Sequence, residues 1–491
     1  MSSQKKDIKR FFKHSYIYAI GNIINRIGAF LLLPVYTNYL TVEEYGSLEL
    51  FYAVSAVVFG FLSIGIAHAT LRFYFEYDDD KDKHAVVSTN YISSLLFSIL
   101  IVSIISYWQD DLSILVFGST DYSQGILIIL GTIIFELSSQ ICLAYVRAVE
   151  KSLFFVYIAI AKLLIQVSIN IYLVIYAGEG VLGVLFGNFM AVFIGWIVLT
   201  VFTLKNCKLR FHFSKLIPIL QYSFPFLLGT LTELVSTNVD KFSLNYMDSI
   251  GAVGIYMLAI KFSMILEQLI GEPFSRSYGS FRFSIMKNDN AAEIQANIVK
   301  YLLYMTLFCG LGISLFIKDL LVVMSDESFW PAATIVPIVI FASVIKIMNY
   351  PVQTGILYAK KTRYFFYIGV MTATVSVISN LTLIPILGII GACLSLIITD
   401  IVGLYLMHRK SQHYFEVTYD YKRLLLAVAF SVVVYLASIP LFDSALYVSI
   451  PIKSLMLVFF AYIILMSNLF LNTDEKQYVR DFVSSKILRR R

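Results

Sequence analysis

Three cations lie deep inside long apolar stretches of this 491-residue chain: Arg26, Lys261 and Lys346. Each carries amide side chains at helical spacing on its own face. Tyr18, Asn22 and Asn25 accompany Arg26, and Lys346 aligns with Asn349 and Gln353. Lys261 aligns with Gln268 and Glu272, with Glu267 beside them. Lys162 extends the pattern, with Gln166 and Asn170 at four-residue steps. A charge at mid-bilayer costs at least ~3 kcal/mol on insertion scales, so these side chains must face protein or water. Cations flanked by amides give charge-assisted hydrogen bonds to anions, phosphate above all. The expected cavity set is therefore Arg26, Lys261, Lys346, Asn22, Asn25, Lys162, Gln268 and Gln353.

Acids in the same stretches are fewer. Glu233, Asp240 and Glu267 are candidates for coupling to H+ or Na+, or equally for neutralising Lys241 and Lys261. Glu136, in line with Gln140 and Arg147, is placed to pair with Lys162 or to meet a ligand. Arg72, Arg147, Arg276 and Asp400 stand near the ends of their stretches, where side chains snorkel to the interface. His68 reads as a packing residue. Gly183 and Gly187 form a GxxxG spacing that marks helix packing.

The elements that position these groups follow from composition. With 58% hydrophobic and 14% charged residues, the chain falls far below the roughly one-quarter charged of soluble domains. Spans of about twenty apolar residues are expected at 15–40, 46–75, 85–108, 123–147, 153–177, 181–204, 216–246, 250–274, 294–317, 331–358, 364–385, 388–408, 421–440 and 450–471. The polar breaks alternate in charge. Lys205, Lys208, Arg210 and Lys215 crowd one, Lys360, Lys361 and Arg363 another, and Arg409, Lys410, Lys422 and Arg423 a third. Those between them, such as 109–124 and 383–388, carry no Lys or Arg. Short basic loops stay in the cytoplasm. An all-α polytopic membrane protein of about fourteen spans, with both termini cytoplasmic, is expected.

Other classes are disfavoured. No loop is long enough for a soluble domain, and no GxxxxGK[ST], HExxH or GxSxG run occurs. The cysteines, Cys142, Cys207, Cys309 and Cys393, are scattered singly, so neither zinc nor a disulfide framework is indicated. No metal, cofactor or enzymatic activity is expected. The basic tail Lys486–Arg491 suits anionic lipid rather than nucleic acid. The first span follows a charged N-terminus and is too long for a cleaved signal.

An internal repeat links the halves. Asn38-Tyr39-Leu40, Gly46, Phe73 and Phe75 recur as Asn245-Tyr246-Met247, Gly254, Phe281 and Phe283, at an offset of 207 and then 208 residues. Six helices per offset makes the copies parallel. The expected division is 1–212 (spans one to six), 213–415 (seven to twelve) and 416–491 (two additional helices and a basic tail).

The opening stretch carries a resemblance. Asn25-Arg26-Ile27-Gly28, Leu33-Pro34-Val35-Tyr36-Thr37, Leu40 and Glu43-Glu44-Tyr45-Gly46 resemble the start of Wzx-type polysaccharide and O-antigen lipid flippases. These belong to the multidrug/oligosaccharidyl-lipid/polysaccharide exporter superfamily. The resemblance implies two six-helix lobes in a V around a central cavity, in the inner membrane of a bacterium. It also implies movement of an undecaprenyl-pyrophosphate-linked oligosaccharide repeat unit from the cytoplasmic to the periplasmic leaflet. Arg26 is the cation that falls on the motif. Membrane lipids and other glycan-assembly proteins are the implied partners. An ion-coupled small-molecule or drug antiporter of the same superfamily is the alternative, and it would favour acidic over basic cavity residues.

Overall fold

A computed structural model describes residues 17, 28, 30–63, 65–286, 288–442, 444, 446–473 and 475–477. All regular structure among them is helical. Among the described residues twelve helices are long and apolar enough to cross a membrane, and they coincide with twelve of the fourteen expected spans. Half of the first expected span lies outside the described residues. The seventh is one continuous 35-residue helix, about 52 Å long, set apart by the polar residues Glu233, Thr237, Asp240 and Lys241.

The chain divides into two compact units, Met1–Gly254 and Ile255–Arg491. In the first, α1 (Leu33–Tyr39) leads into α2 (Val42–Ser63) and α3 (Ile66–Glu76). A capping box starts α2. The Glu44 amide donates to Thr41 Oγ1 at 3.1 Å, and the Thr41 amide donates to Glu44 Oε2 at 2.8 Å. Then come α4 (Asp80–Tyr107), α5 (Gln109–Phe117), α6 (Ser123–Ala148), α7 (Ser152–Ile171), α8 (Gly180–Cys207) and α9 (Phe213–Met247). Helix α6 packs on α4 and α8, and α9 packs on α2, α3 and α4. Gly183 and Gly187 admit α7: a Cβ on Gly187 would fall 1.8 Å from Asn170 Oδ1.

Helix α10 (Ile250–Leu266) begins in the first unit and continues into the second. Its opening turns cross α2 at the two repeat glycines. A Cβ on Gly46 would lie 1.9 Å from the Ile250 carbonyl oxygen, and one on Gly254 would lie 2.3 Å from that of Val42. Only hydrogen fits at either position.

The second unit continues with α11 (Glu272–Ile285), α12 (Ala291–Met324), α13 (Ala332–Val352), α14 (Thr354–Tyr358), α15 (Arg363–Leu387) and α16 (Ile389–Tyr414). Helix α13 packs between α12 and α16 and is the most buried of the twelve. The last helices, α17 (Tyr421–Ser438) and α18 (Leu446–Met466), both pack on α12. A buried ion pair fastens α18. Lys453 Nζ stands 2.7 Å from Asp319 Oδ2, and Ser449 Oγ donates to Asp319 Oδ1 at 3.0 Å.

Candidate functional site

Two long spans are interrupted, one in each unit. In the first unit, α2 ends at Ser63 and α3 starts at Ile66, with Gly65 at φ 66° between them. That left-handed geometry suits a residue without Cβ. In the second half α10 widens into a π turn, Glu267–Gly271, before α11. Such π insertions cluster at functional sites. Interrupted helices at corresponding positions of two repeats are the best backbone pointer to a transport site.

Around the break in the first unit lies a cleft of about 310 Å³, lined among others by Ser63, His68, Ser94, Gln140 and Thr230. The Asn90 amide donates to the Ile66 carbonyl at 3.3 Å and to Thr70 Oγ1, so the restart of α3 is braced by α4. A larger cleft, about 720 Å³, lies between α2, α5 and α9. Its lining contains no Lys, Arg, His, Asp or Glu, so it offers no charge to a polar ligand.

The π turn in the second unit brings together charges from three helices. Lys346 Nζ of α13 donates to Glu267 Oε2 at 3.0 Å, and Tyr350 donates to Glu267 Oε1 at 3.1 Å. Asp400 of α16 lies within electrostatic reach of both Lys346 and Glu267. Asn349, one turn from Lys346, has its Oδ1 buried and unpartnered. The Lys346 side chain is 52% exposed although α13 is the most buried span. A charged side chain left half open on a membrane-spanning helix requires a wet, protein-lined surface.

The other expected residues are distributed as follows. Lys261 is partly buried on α10, Gln268 lies in the π turn beside Glu267, and Gln353 ends α13. Lys162 is half-buried, its stem lying along Gly195, and no ion pair joins it to Glu136 among the described residues. Glu267, expected either to couple an ion or to neutralise Lys241 or Lys261, pairs with Lys346. Lys241 donates to Asn238 Oδ1 at 2.9 Å, with Asp240 buried beside it. The Glu233 side chain, and Asn22, Asn25 and Arg26, lie outside the described residues.

Two acids of interest were not legible as site residues. Asp400 sits near a span end in sequence, yet helix packing brings it within electrostatic reach of Lys346. Glu49 follows the Glu-Glu-Tyr-Gly motif and is 4% exposed, with Tyr36, Tyr45 and Tyr52 around its carboxylate. Tyr36 in turn accepts a hydrogen bond from the Asn170 amide at 2.6 Å. A four-residue spacing from Tyr45 was the available signal for Glu49. Among the described residues no group of His, Cys, Asp and Glu could hold a metal ion.

The sequence pattern of a family described as "Polysaccharide biosynthesis protein" matches residues 11–278. A curated relative, "Lsg locus putative protein 1" of Haemophilus influenzae, is 20% identical over 263 residues. That match covers 52% of this chain and 62% of the relative's length. Among solved structures, "Lipid II flippase MurJ, inward closed conformation" superposes with a TM-score of 0.71 at 16% identity, covering 91% of this chain and 98% of that one. An inward-facing multidrug resistance MATE family transporter gives 0.62 at 14% identity, over 81% and 98% of the two chains. At these identities the likeness is one of fold.

Proposed function

Since the chain belongs to the polysaccharide biosynthesis protein family, we propose that it flips an undecaprenyl-pyrophosphate-linked oligosaccharide repeat unit from the cytoplasmic to the periplasmic leaflet of a bacterial inner membrane. It is a multi-pass membrane protein of polysaccharide biosynthesis, not an enzyme. The observation that carries the reading is Lys346, an ammonium held open on the most buried span beside a distorted turn. Its bond to Glu267 is charge-assisted, the kind of bond that a phosphate oxygen can make in place of a carboxylate oxygen. Lys261, Lys162 and the amides of Gln268 and Gln353 supply further donors, with Arg26 on the family-like motif. The work is modest. Moving a headgroup of about −2 out of a negative interior through 100 mV gains roughly 5 kcal/mol.

A second reading has its own support. Glu267 and Asp400 together set two carboxylates against one ammonium, a balance that also suits an organic cation exchanged against H+ or Na+. Proteoliposomes separate the two. We expect Lys346→Ala to cut translocation of a labelled undecaprenyl-pyrophosphate glycan at least about tenfold, the loss of one charge-assisted bond. Export of organic cations with no glycan-lipid movement by the wild type would leave the antiporter reading standing alone.

A further inference from the structure

At the other end of α11 a buried cation has no counter-ion among the described residues. Arg282, in the last turn of that helix, is 7% exposed. Its Nε donates to the Gly279 carbonyl at 3.3 Å. Its Nη1 is buried with no hydrogen-bond partner. The guanidinium lies 5.3 Å from the Tyr278 ring centroid and 5.8 Å from that of Phe283. No carboxylate pairs with it among the described residues, and burial lowers it from its ordinary value.

Neighbouring polar groups are already occupied. Tyr278 donates to Gln295 and meets Thr354 Oγ1 at 3.3 Å, while Gln295 donates to the Pro351 carbonyl at 2.7 Å. They brace the site without consuming the guanidinium. Removing one member of a buried ion pair is strongly unfavourable, and a lone buried guanidinium is in the same position. The negative end of the α11 dipole offsets part of that charge but amounts to only a fraction of a counter-ion. The basic-loop rule puts this end of the helix in the cytoplasm, at the level of lipid phosphates.

We propose that Arg282 is a phosphate-binding residue for lipid-borne phosphate at the inner membrane surface, a site separate from the cluster at Lys346. Its planar fork matches two phosphate oxygens at once. Insofar as the phosphate is that of the cargo, the site rests on the function proposed above and would be its first station.

The full-length protein in phosphatidylcholine nanodiscs, titrated with undecaprenyl pyrophosphate and separately with phosphatidylglycerol, tests this by native mass spectrometry. Arg282→Gln should weaken binding about tenfold, the size of one charge-assisted contact. Arg282→Lys, which keeps the charge and loses the fork, should fall between. Arg276→Gln, an exposed arginine already paired with Glu272, should bind as the wild type does. Loss confined to undecaprenyl pyrophosphate identifies cargo; loss for both lipids identifies anionic headgroups at large, and either upholds the site. Unchanged affinity for both lipids in folded Arg282→Gln overturns it. If that variant fails to fold, unchanged affinity in Arg282→Lys overturns it equally. Wild-type protein that translocates the glycan lipid while Arg282→Gln binds normally sinks this site and leaves the function intact. The reverse result keeps the site and removes the function.

Discussion

Two lysine–carboxylate pairs inside the second unit differ in what surrounds them, and the difference separates structure from transport. Lys453 is fully buried, its ammonium 2.7 Å from Asp319 and 4.9 Å from the Phe442 ring. Lys346 reaches Glu267 at a similar distance but keeps half its side chain open. A sealed pair cannot exchange partners with a passenger; an open one can. Asp319→Ala should therefore destabilise the protein by about 3–5 kcal/mol, because it strands a buried ammonium. The double replacement Asp319→Leu with Lys453→Met should recover most of that loss, since an apolar pair of similar volume is often neutral. Thermal unfolding in detergent measures both. A single variant as stable as wild type would mean Lys453 finds water or another partner. Sequence spacing could flag Lys346, because its amides recur along one helix. It could not show that Glu267 and Asp400 come to it from two other helices, which depends on packing.

At the scale of the element, the internal repeat has physical meaning beyond likeness. Gly46 and Gly254 each stand in the second turn of their helix, and the two helices cross there with almost no side-chain volume between them. The recurring glycine was readable in the sequence; its role as a mutual contact was not, because nothing local says which helix approaches. The paired interruptions were hidden more deeply. A π turn costs one displaced hydrogen bond and has no fixed residue signature, so Glu267–Gly271 reads as uninterrupted helix. If the glycine crossing closes the outer face, Gly254→Leu should hold it apart. Transport should fall at least about tenfold, in line with the 1–3 kcal/mol that overpacking a tight contact costs, while membrane insertion persists. The readout is a Val42→Cys/Gly251→Cys disulfide, since Val42 Cγ1 lies 3.8 Å from a Cβ built on Gly251. Undiminished cross-linking in the Gly254→Leu background would refute the closure.

For the molecule as a whole, orientation rests on the uneven spread of Lys and Arg, a pattern that a shift of a few residues in any one span boundary leaves intact. The helices after residue 40 fall where apolar length placed them, because twenty such residues have few alternatives in lipid to a hydrogen-bonded helix. Helix α9 tests that logic hardest. Its polar residues set it apart from the twelve apolar spans, yet removing it from the count would reverse the side of every later loop. The basic segments around Lys361 and Arg409 would then face outward, against the rule that keeps short basic loops inside. Thiol labelling of whole cells distinguishes the two topologies. Cys142, Cys207 and Cys393 are buried and Cys309 partly so, so the native background is low. Thr120→Cys, at an exposed turn between α5 and α6, should react with an impermeant maleimide from outside. Lys361→Cys, equally exposed, should react only after the membrane is opened. Labelling of both from outside would place an even number of crossings between them and remove α9 from the spans.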